Sequence, residues 1–222
     1  MCARFSLASP GRVTDRYPQF RLRRSVERRF NIAPTQDVLA TRGDAGGEIE
    51  PMRWGFVTGT GSNGNDGPML INARAETLAA RPAFRDALQQ RRCLIFADGF
   101  YEWGGSKKFR RPYRFVVDGG EPFVFAGLFE RWGVSDDAPA SCTIVTCEPN
   151  ALCAKIHDRM PVILGDDAID RWLNGPVDDA LGTLVPFDAV RMRSYPVTPE
   201  LNRATFEDPR AIEPIEEAPT LF

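Results

Sequence analysis

The sequence predicts an α+β fold, a single domain built on a largely antiparallel, barrel-like β-sheet with a few surrounding helices. Three observations carry this expectation. Short runs rich in Val, Ile, Phe and Tyr, bounded by Gly, Pro and Asp, recur along most of the chain. Helical periodicity is confined to a few short stretches. At 222 residues, with 43% hydrophobic and 26% charged residues, the chain can bury one good core.

The strand runs are Arg4–Leu7, Asp37–Thr41, Met52–Val57 and Met69–Asn72, then Cys93–Phe96, Tyr113–Val117 and Pro122–Phe129. Cys142–Thr146, Val162–Leu164 and Arg191–Pro196 complete the set. The first helix spans Pro82–Arg91, with Pro near its first position and Phe84, Ala87 and Leu88 on one side. Asn150–Ile156 and Asp166–Leu173 are two more, the latter opening with acids that suit a helix N-terminus. Residues 59–67 form a Gly/Asn-rich loop. The domain is expected over 2–206, followed by an irregular acidic tail at 207–222 that carries Pro209, Pro214 and Pro219.

Several function classes recede at once. No apolar run approaches the roughly 20 residues of a membrane span. The N-terminus lacks a signal-peptide apolar region, so a cytoplasmic location is expected. Five cysteines with no CxxC pair, beside a single histidine, make neither a zinc pattern nor a disulfide framework. No metal and no cofactor are expected. Cys93, Cys142, Cys147 and Cys153 read as small buried hydrophobes.

The net charge of −2 hides a polarity: residues 1–116 carry +9 and residues 117–222 carry −11. Eight arginines lie within the first 30 residues. Such a distribution can place one cationic face on an acidic protein, or it can be a solvated surface without a partner.

Seven residues stand out chemically. Removal of Met1 would leave Cys2 as a 1,2-aminothiol, with an amine of pKa about 8 and a thiol of pKa about 8.5. Such a unit reacts with an aldehyde, first as an imine and then by ring closure to a thiazolidine. His157, in Ile156-His157-Asp158-Arg159-Met160-Pro161, is expected at a helix C-terminus ended by Pro161, where the dipole favours the imidazolium. Glu102 lies among Phe100, Tyr101 and Trp103, an environment that raises a carboxyl toward acid/base use. Asn72 and Arg74 alternate along a strand and share one face, suited to an amine and a phosphate. Trp54 and Trp103 each precede Gly among polar neighbours and read as stacking platforms for single-stranded bases, whereas Trp132 and Trp172 read as core. Each residue taken singly has an ordinary structural reading as well.

Together these segments resemble the SOS response-associated peptidase (SRAP) family, which includes the hydroxymethylcytosine-binding protein of animal cells. The resemblance runs over nearly the whole chain. It rests on Met1-Cys2-Ala3-Arg4-Phe5, Phe30 to Thr35, Pro51 to Gly55 and Asn72 to Thr77, and then on Arg91 to Ile95, Asp98 to Trp103, Phe125 to Leu128 and Ile156 to Pro161, in that order. The resemblance implies a protein that binds single-stranded DNA and captures the aldehyde of an abasic site on Cys2 as a thiazolidine. It implies that the protein removes Met1 itself and has a possible abasic-site lyase activity. It assigns Asn72 to the cysteine backbone and amine, Glu102 and His157 to proton transfer, and Arg4, Arg74, Arg159, Trp54 and Trp103 to DNA. A monomer is expected. Two departures are visible: Ala3 stands where the family usually has Gly, and Phe56-Val57-Thr58 replaces a run toward a second Trp. A self-processing cysteine peptidase with His157 as base, and a non-covalent reader of damaged or modified DNA, are the competing functional readings.

Overall fold

The computed structural model describes residues 2–57, 69–106, 110–131 and 139–216. The Gly/Asn-rich loop and Trp132 lie outside the described residues. The α+β expectation is met. Five strands close into a ring: Ala140–Cys147, Phe123–Arg131, Arg92–Ala97, Asp37–Arg42 and Glu48–Trp54 pair in turn. Glu48–Trp54 returns to Ala140–Cys147 through a parallel contact, Ser141 opposite Arg53 and Cys142 opposite Trp54. The other ring pairings are antiparallel.

A second sheet of five antiparallel strands lies beside the ring, in the order Met192–Pro196, Arg111–Val117, Gly99–Gly104, Phe5–Leu7 and Arg29–Ile32. Phe5–Leu7 is the N-terminal strand and Gly99–Gly104 the Glu102 strand. Both lie near the middle of that sheet, which fixes the start of the chain against Glu102. Phe5 bridges the two layers: its ring packs on Trp54 and Phe125 at centroid distances of 5.1 and 5.6 Å. Such contacts bury large apolar area, and burial is the main stabilising term of the domain.

A buried ion pair fixes the second sheet where the ring strand Arg92–Ala97 runs into Gly99–Gly104. Arg114 Nη2 donates to Asp98 Oδ1 at 3.0 Å. The carboxylate of Asp98 also accepts from Ser6 Oγ (2.7 Å) and from the Ser9 N–H (2.9 Å). A side chain on Gly99 would meet the guanidinium, since an added Cβ would lie 2.6 Å from Arg114 Nε. Here glycine is required by close approach rather than by its φ.

Three expectations about local structure need correction. Residues 150–156 form only a short 3₁₀ turn, Cys153–Lys155, rather than a helix. Asn150 Oδ1 caps the start, accepting from the N–H groups of Leu152 (3.1 Å) and Cys153 (2.9 Å), but Lys155 and Ile156 then bond three residues back, to Leu152 (3.4 Å) and Cys153 (2.9 Å), which is the tighter 3₁₀ pattern. The run Met52–Val57 is divided at Gly55, whose φ of 140° breaks the strand after Trp54. Strands Arg29–Ile32 and Gly99–Gly104 are present where none was expected. Helices Pro82–Gln90 and Asp166–Asn174 agree with the sequence reading, and Trp172 is core, its indole N–H bonded to the Cys93 carbonyl at 2.9 Å.

The start of the expected tail is anchored. Arg29 pairs with Glu207 at 3.1 Å, and Ala211 is buried. No helix among the described residues is long and apolar enough to cross a membrane, and no group of three or more metal-binding side chains occurs among them.

Candidate functional site

The site is assembled by strand pairing. Phe5 lies opposite Phe100 and Ser6 opposite Gly99. Extending that register, confirmed by a 3.0 Å bond from the Tyr101 N–H to the Arg4 carbonyl, brings Cys2 and Ala3 alongside Glu102 and Trp103. From the other side comes the strand Asn72–Arg74, held parallel to Ala140–Cys147 with Asn72 opposite Ile144. Asn72 Nδ2 donates to the Cys2 carbonyl at 2.8 Å. Asn72 Oδ1 is buried and without a hydrogen-bond partner among the described residues.

Cys2 is fully buried, and its thiol donates to the Arg4 carbonyl at 3.6 Å. Burial, and next the charge of Glu102, push the thiol well above its ordinary range. The thiol therefore needs a neighbouring base to become a nucleophile. Glu102 is that neighbour. It is buried, and burial raises its carboxyl to about 7, the value at which one group can both accept and donate a proton near neutral pH.

His157 Nε2 lies 3.9 Å from Glu102 Oε2. Its Nδ1 accepts the Arg159 backbone N–H at 3.0 Å, which places the proton of the neutral ring on Nε2, facing Glu102. Asp158 Oδ1 lies 2.9 Å from the same Nδ1 and can pair with it only when the ring is protonated. Burial lowers the His157 pKa, which favours the neutral tautomer. The expected imidazolium at a helix C-terminus is thus corrected: only a 3₁₀ turn precedes His157, no long helix dipole acts on it, and desolvation prevails.

Arg159 is committed to the protein. Its guanidinium grips Glu76 in a two-toothed pair, Nη1 to Oε1 at 2.7 Å and Nη2 to Oε2 at 3.0 Å, and Nη2 also donates to the Thr146 carbonyl at 2.6 Å. Arg74 is exposed one strand residue beyond Ala73. Trp103 is half-buried, with its indole N–H on Asn202 Oδ1 at 2.6 Å. Arg4 is half-buried, and its Nη1 lies on Asn31 and Leu201.

Trp54 does not reach the surface. It is wholly buried, packs on Phe5 and donates its indole N–H to the Ile71 carbonyl at 2.8 Å. Its expected role as a stacking platform is corrected to core packing: its place on the ring strand turns the side chain inward, and the polar neighbours in sequence point elsewhere. Asn31 and Glu76 join the site as polar partners that their sequence neighbourhoods do not signal. Only their partners, Arg4 and Arg159, reveal them.

The cationic first segment is also used internally. Arg16 pairs with Asp166 at 2.6 Å, Arg29 with Glu207 at 3.1 Å, and Arg12 with Glu121. Three of the eight early arginines therefore meet acids of the second half, which accounts for part of the charge polarity without an outside partner.

Comparison with known proteins follows this geometry. The family model described as SOS response associated peptidase (SRAP) matches residues 1–204. A Bacillus subtilis relative named abasic site processing protein YoqW is 37% identical over 224 residues, covering 96% of this chain and 99% of its own length. The Escherichia coli abasic site processing protein YedK is 33% identical over 150 residues, 65% of this chain and 64% of that protein. The Xenopus tropicalis abasic site processing protein HMCES is 27% identical, over 75% of this chain and 57% of the relative. Among solved structures, a Bacteroides thetaiotaomicron protein superposes with a TM-score of 0.84 at 22% identity, covering 97% of this chain and all of that one, a likeness of fold. A phage-related Bordetella bronchiseptica protein superposes at 0.72 with 28% identity, over 88% of this chain and 94% of that one. With the family model spanning almost the whole chain, this protein belongs to the SRAP family.

Proposed function

We propose that this chain is an abasic-site processing protein that acts on single-stranded DNA through Cys2. The observation that carries the reading is the convergence of Asn72, Glu102 and His157 on the second residue of the chain. The names borne by the relatives agree with it.

The chemistry follows in balanced steps. Hydrolysis of the Met1–Cys2 peptide bond consumes one water and frees the Cys2 amine. Asn72 holds the Cys2 carbonyl, and its unpartnered Oδ1 is assigned to accept from that amine. The abasic sugar opens to its aldehyde. The amine adds to the carbonyl carbon and one water leaves, giving an imine. The thiol then adds to the imine carbon, its proton passing to nitrogen by way of Glu102, and a thiazolidine results. The adduct is the sum of protein and DNA less one water. Glu102, its carboxyl raised by burial, can give a proton to the departing oxygen and take one from the thiol. His157, neutral with Nε2–H toward Glu102, completes the relay. An imine also makes strand cleavage by β-elimination accessible, so lyase activity belongs to the same intermediate.

Exposed Arg74 is assigned to the DNA backbone, Arg159 to the same backbone once a phosphate displaces Glu76 from its fork, and Trp103 to an unstacked base. The protein is proposed to act as a monomer in the cytoplasm, on DNA that carries abasic sites.

The test compares wild type with Cys2→Ala on a single-stranded oligonucleotide carrying one abasic site, read on denaturing gels without a reductant. A heat-stable band that requires both Cys2 and the abasic site supports the reading. Retardation on a parallel native gel with no covalent band on the denaturing one, in both proteins, would leave a non-covalent reader. Cleavage of peptides in trans without DNA would support a peptidase.

A further inference from the structure

Arg4 sits two residues from the nucleophile, and its two ends point in different directions. Its backbone carbonyl accepts from the Cys2 thiol at 3.6 Å and from the Tyr101 N–H at 3.0 Å. Its guanidinium turns away from the thiol, toward the C-terminal segment. Nη1 donates to Asn31 Oδ1 at 2.9 Å and to the Leu201 carbonyl at 2.8 Å.

Both acceptors belong to a rigid frame. Asn31 is fully buried, and its Nδ2 donates to the carbonyls of Arg203 (3.0 Å) and Phe206 (2.9 Å). Leu201 is fully buried in the 3₁₀ turn Pro199–Asn202. The same turn holds Trp103 through Asn202, and the Arg4 guanidinium lies 6.0 Å from the centre of the Trp103 ring. A phosphate that recruited Nη1 would take the guanidinium from two acceptors that the fold has already supplied, leaving them unpaired away from water.

We infer that Arg4 is a positioning residue for Cys2 rather than a phosphate ligand: its guanidinium fastens the first residues of the chain to Asn31 and the 199–202 turn. The carbonyl of the same residue thereby holds the thiol beside Asn72 and Glu102. The inference rests on the reading of Cys2 as the nucleophile. It predicts that Arg4 matters equally for an aldehyde with no phosphate attached.

The experiment uses the full-length chain with Arg4→Lys and Arg4→Met, each below its melting temperature as checked by circular dichroism. Lys keeps the charge but not the planar fork, and Met keeps the stem beside Trp103. Thiazolidine formation is followed with glycolaldehyde and, separately, at saturating abasic single-stranded DNA. Displacing a reacting group by a fraction of an ångström to 1 Å costs roughly tenfold to a hundredfold in rate. Both variants should lose that much on both aldehydes, with the DNA Kd and its salt dependence unchanged.

The opposite pattern overturns the inference: wild-type rates with glycolaldehyde, weaker DNA binding, and a salt slope reduced by about one. Lower melting temperatures with unchanged rates also overturn it, since Arg4 would then be structural only. Should wild type form no thiazolidine with either aldehyde, the Cys2 reading itself fails. Alkylation of Cys2 by iodoacetamide then decides the positioning claim. Faster alkylation of the buried thiol in Arg4→Met supports it, and an unchanged rate overturns it.

Discussion

Asn72 Nδ2 donates to the backbone carbonyl of Cys2 at 2.8 Å, joining residues 70 positions apart, while its Oδ1 stays buried and unpartnered among the described residues. A buried acceptor without a donor is costly, and here it belongs to the side chain that holds the second residue of the chain. Asn72→Ala should lower the maximal rate of adduct formation about 10- to 100-fold, the effect of losing one well-placed polar contact, with little change in DNA Kd. Single-turnover kinetics at saturating DNA separates the two quantities. Asn72→Asp supplies acceptors only and cannot donate to the Cys2 carbonyl, so it should not restore the rate.

Glu102 gives a pH-dependent prediction on stability. Its folded value of about 7 lies above the ordinary 4.5, so the folded state binds the proton more tightly than the unfolded one. Stability contributed by this group is therefore complete below about pH 4.5 and declines as pH rises toward 7. Glu102→Gln should recover up to roughly 3 kcal/mol at pH 8 and almost nothing at pH 4. Thermal melts at the two pH values check this, and the same variant should be defective in adduct formation.

Trp54 separates packing from DNA contact. It is wholly buried and bonded to the Ile71 carbonyl. Trp54→Ala should cost about 3–5 kcal/mol of folding stability, as other large-to-small core changes do. Trp54→Phe should fold, with a lower denaturation midpoint and unaltered DNA affinity. Urea titration and fluorescence anisotropy make the comparison. A loss of affinity in Trp54→Phe without loss of stability would restore a surface role.

Glu76 occupies the fork of Arg159, a position that a DNA phosphate would also claim. The Arg159 contact holds the Glu76 carboxyl below its ordinary range. Glu76→Gln removes the competing charge, and DNA binding at low salt should tighten severalfold, the difference fading as salt is added. The cost in stability should be small, since Glu76 is about half exposed. Weaker binding would instead mean that Glu76 holds Arg159 ready for the phosphate.

Parts of this structure were legible in the sequence and parts were not, for identifiable reasons. Ring strands such as Cys93–Phe96 and Cys142–Thr146 announce themselves as apolar runs because both of their faces are covered. The strand Gly99–Gly104 does not, because glycines bound it and a buried carboxylate interrupts it. Cys2, Asn72, Glu102 and His157 could be named singly, and the fold brings them together from the segment before the first strand, two other strands and a loop. The inward turn of Trp54 depends on strand register, and the tight turn within 150–156 depends on the backbone bonds of Lys155 and Ile156 closing three residues back rather than four. Neither is carried by composition. The guanidinium of Arg4 likewise reads as a surface cation until its partners, distant in sequence, are in place.

The central claim is covalent capture of an aldehyde by the Cys2 aminothiol, and intact-mass spectrometry tests it most directly. Full-length protein is incubated with a single-stranded oligonucleotide bearing one abasic site, with no borohydride present. The account predicts one species whose mass equals protein lacking Met1 plus oligonucleotide less one water, stable to heating and absent in Cys2→Ala. Complete loss of Met1 with no adduct, or an adduct of equal yield in Cys2→Ala, would contradict it.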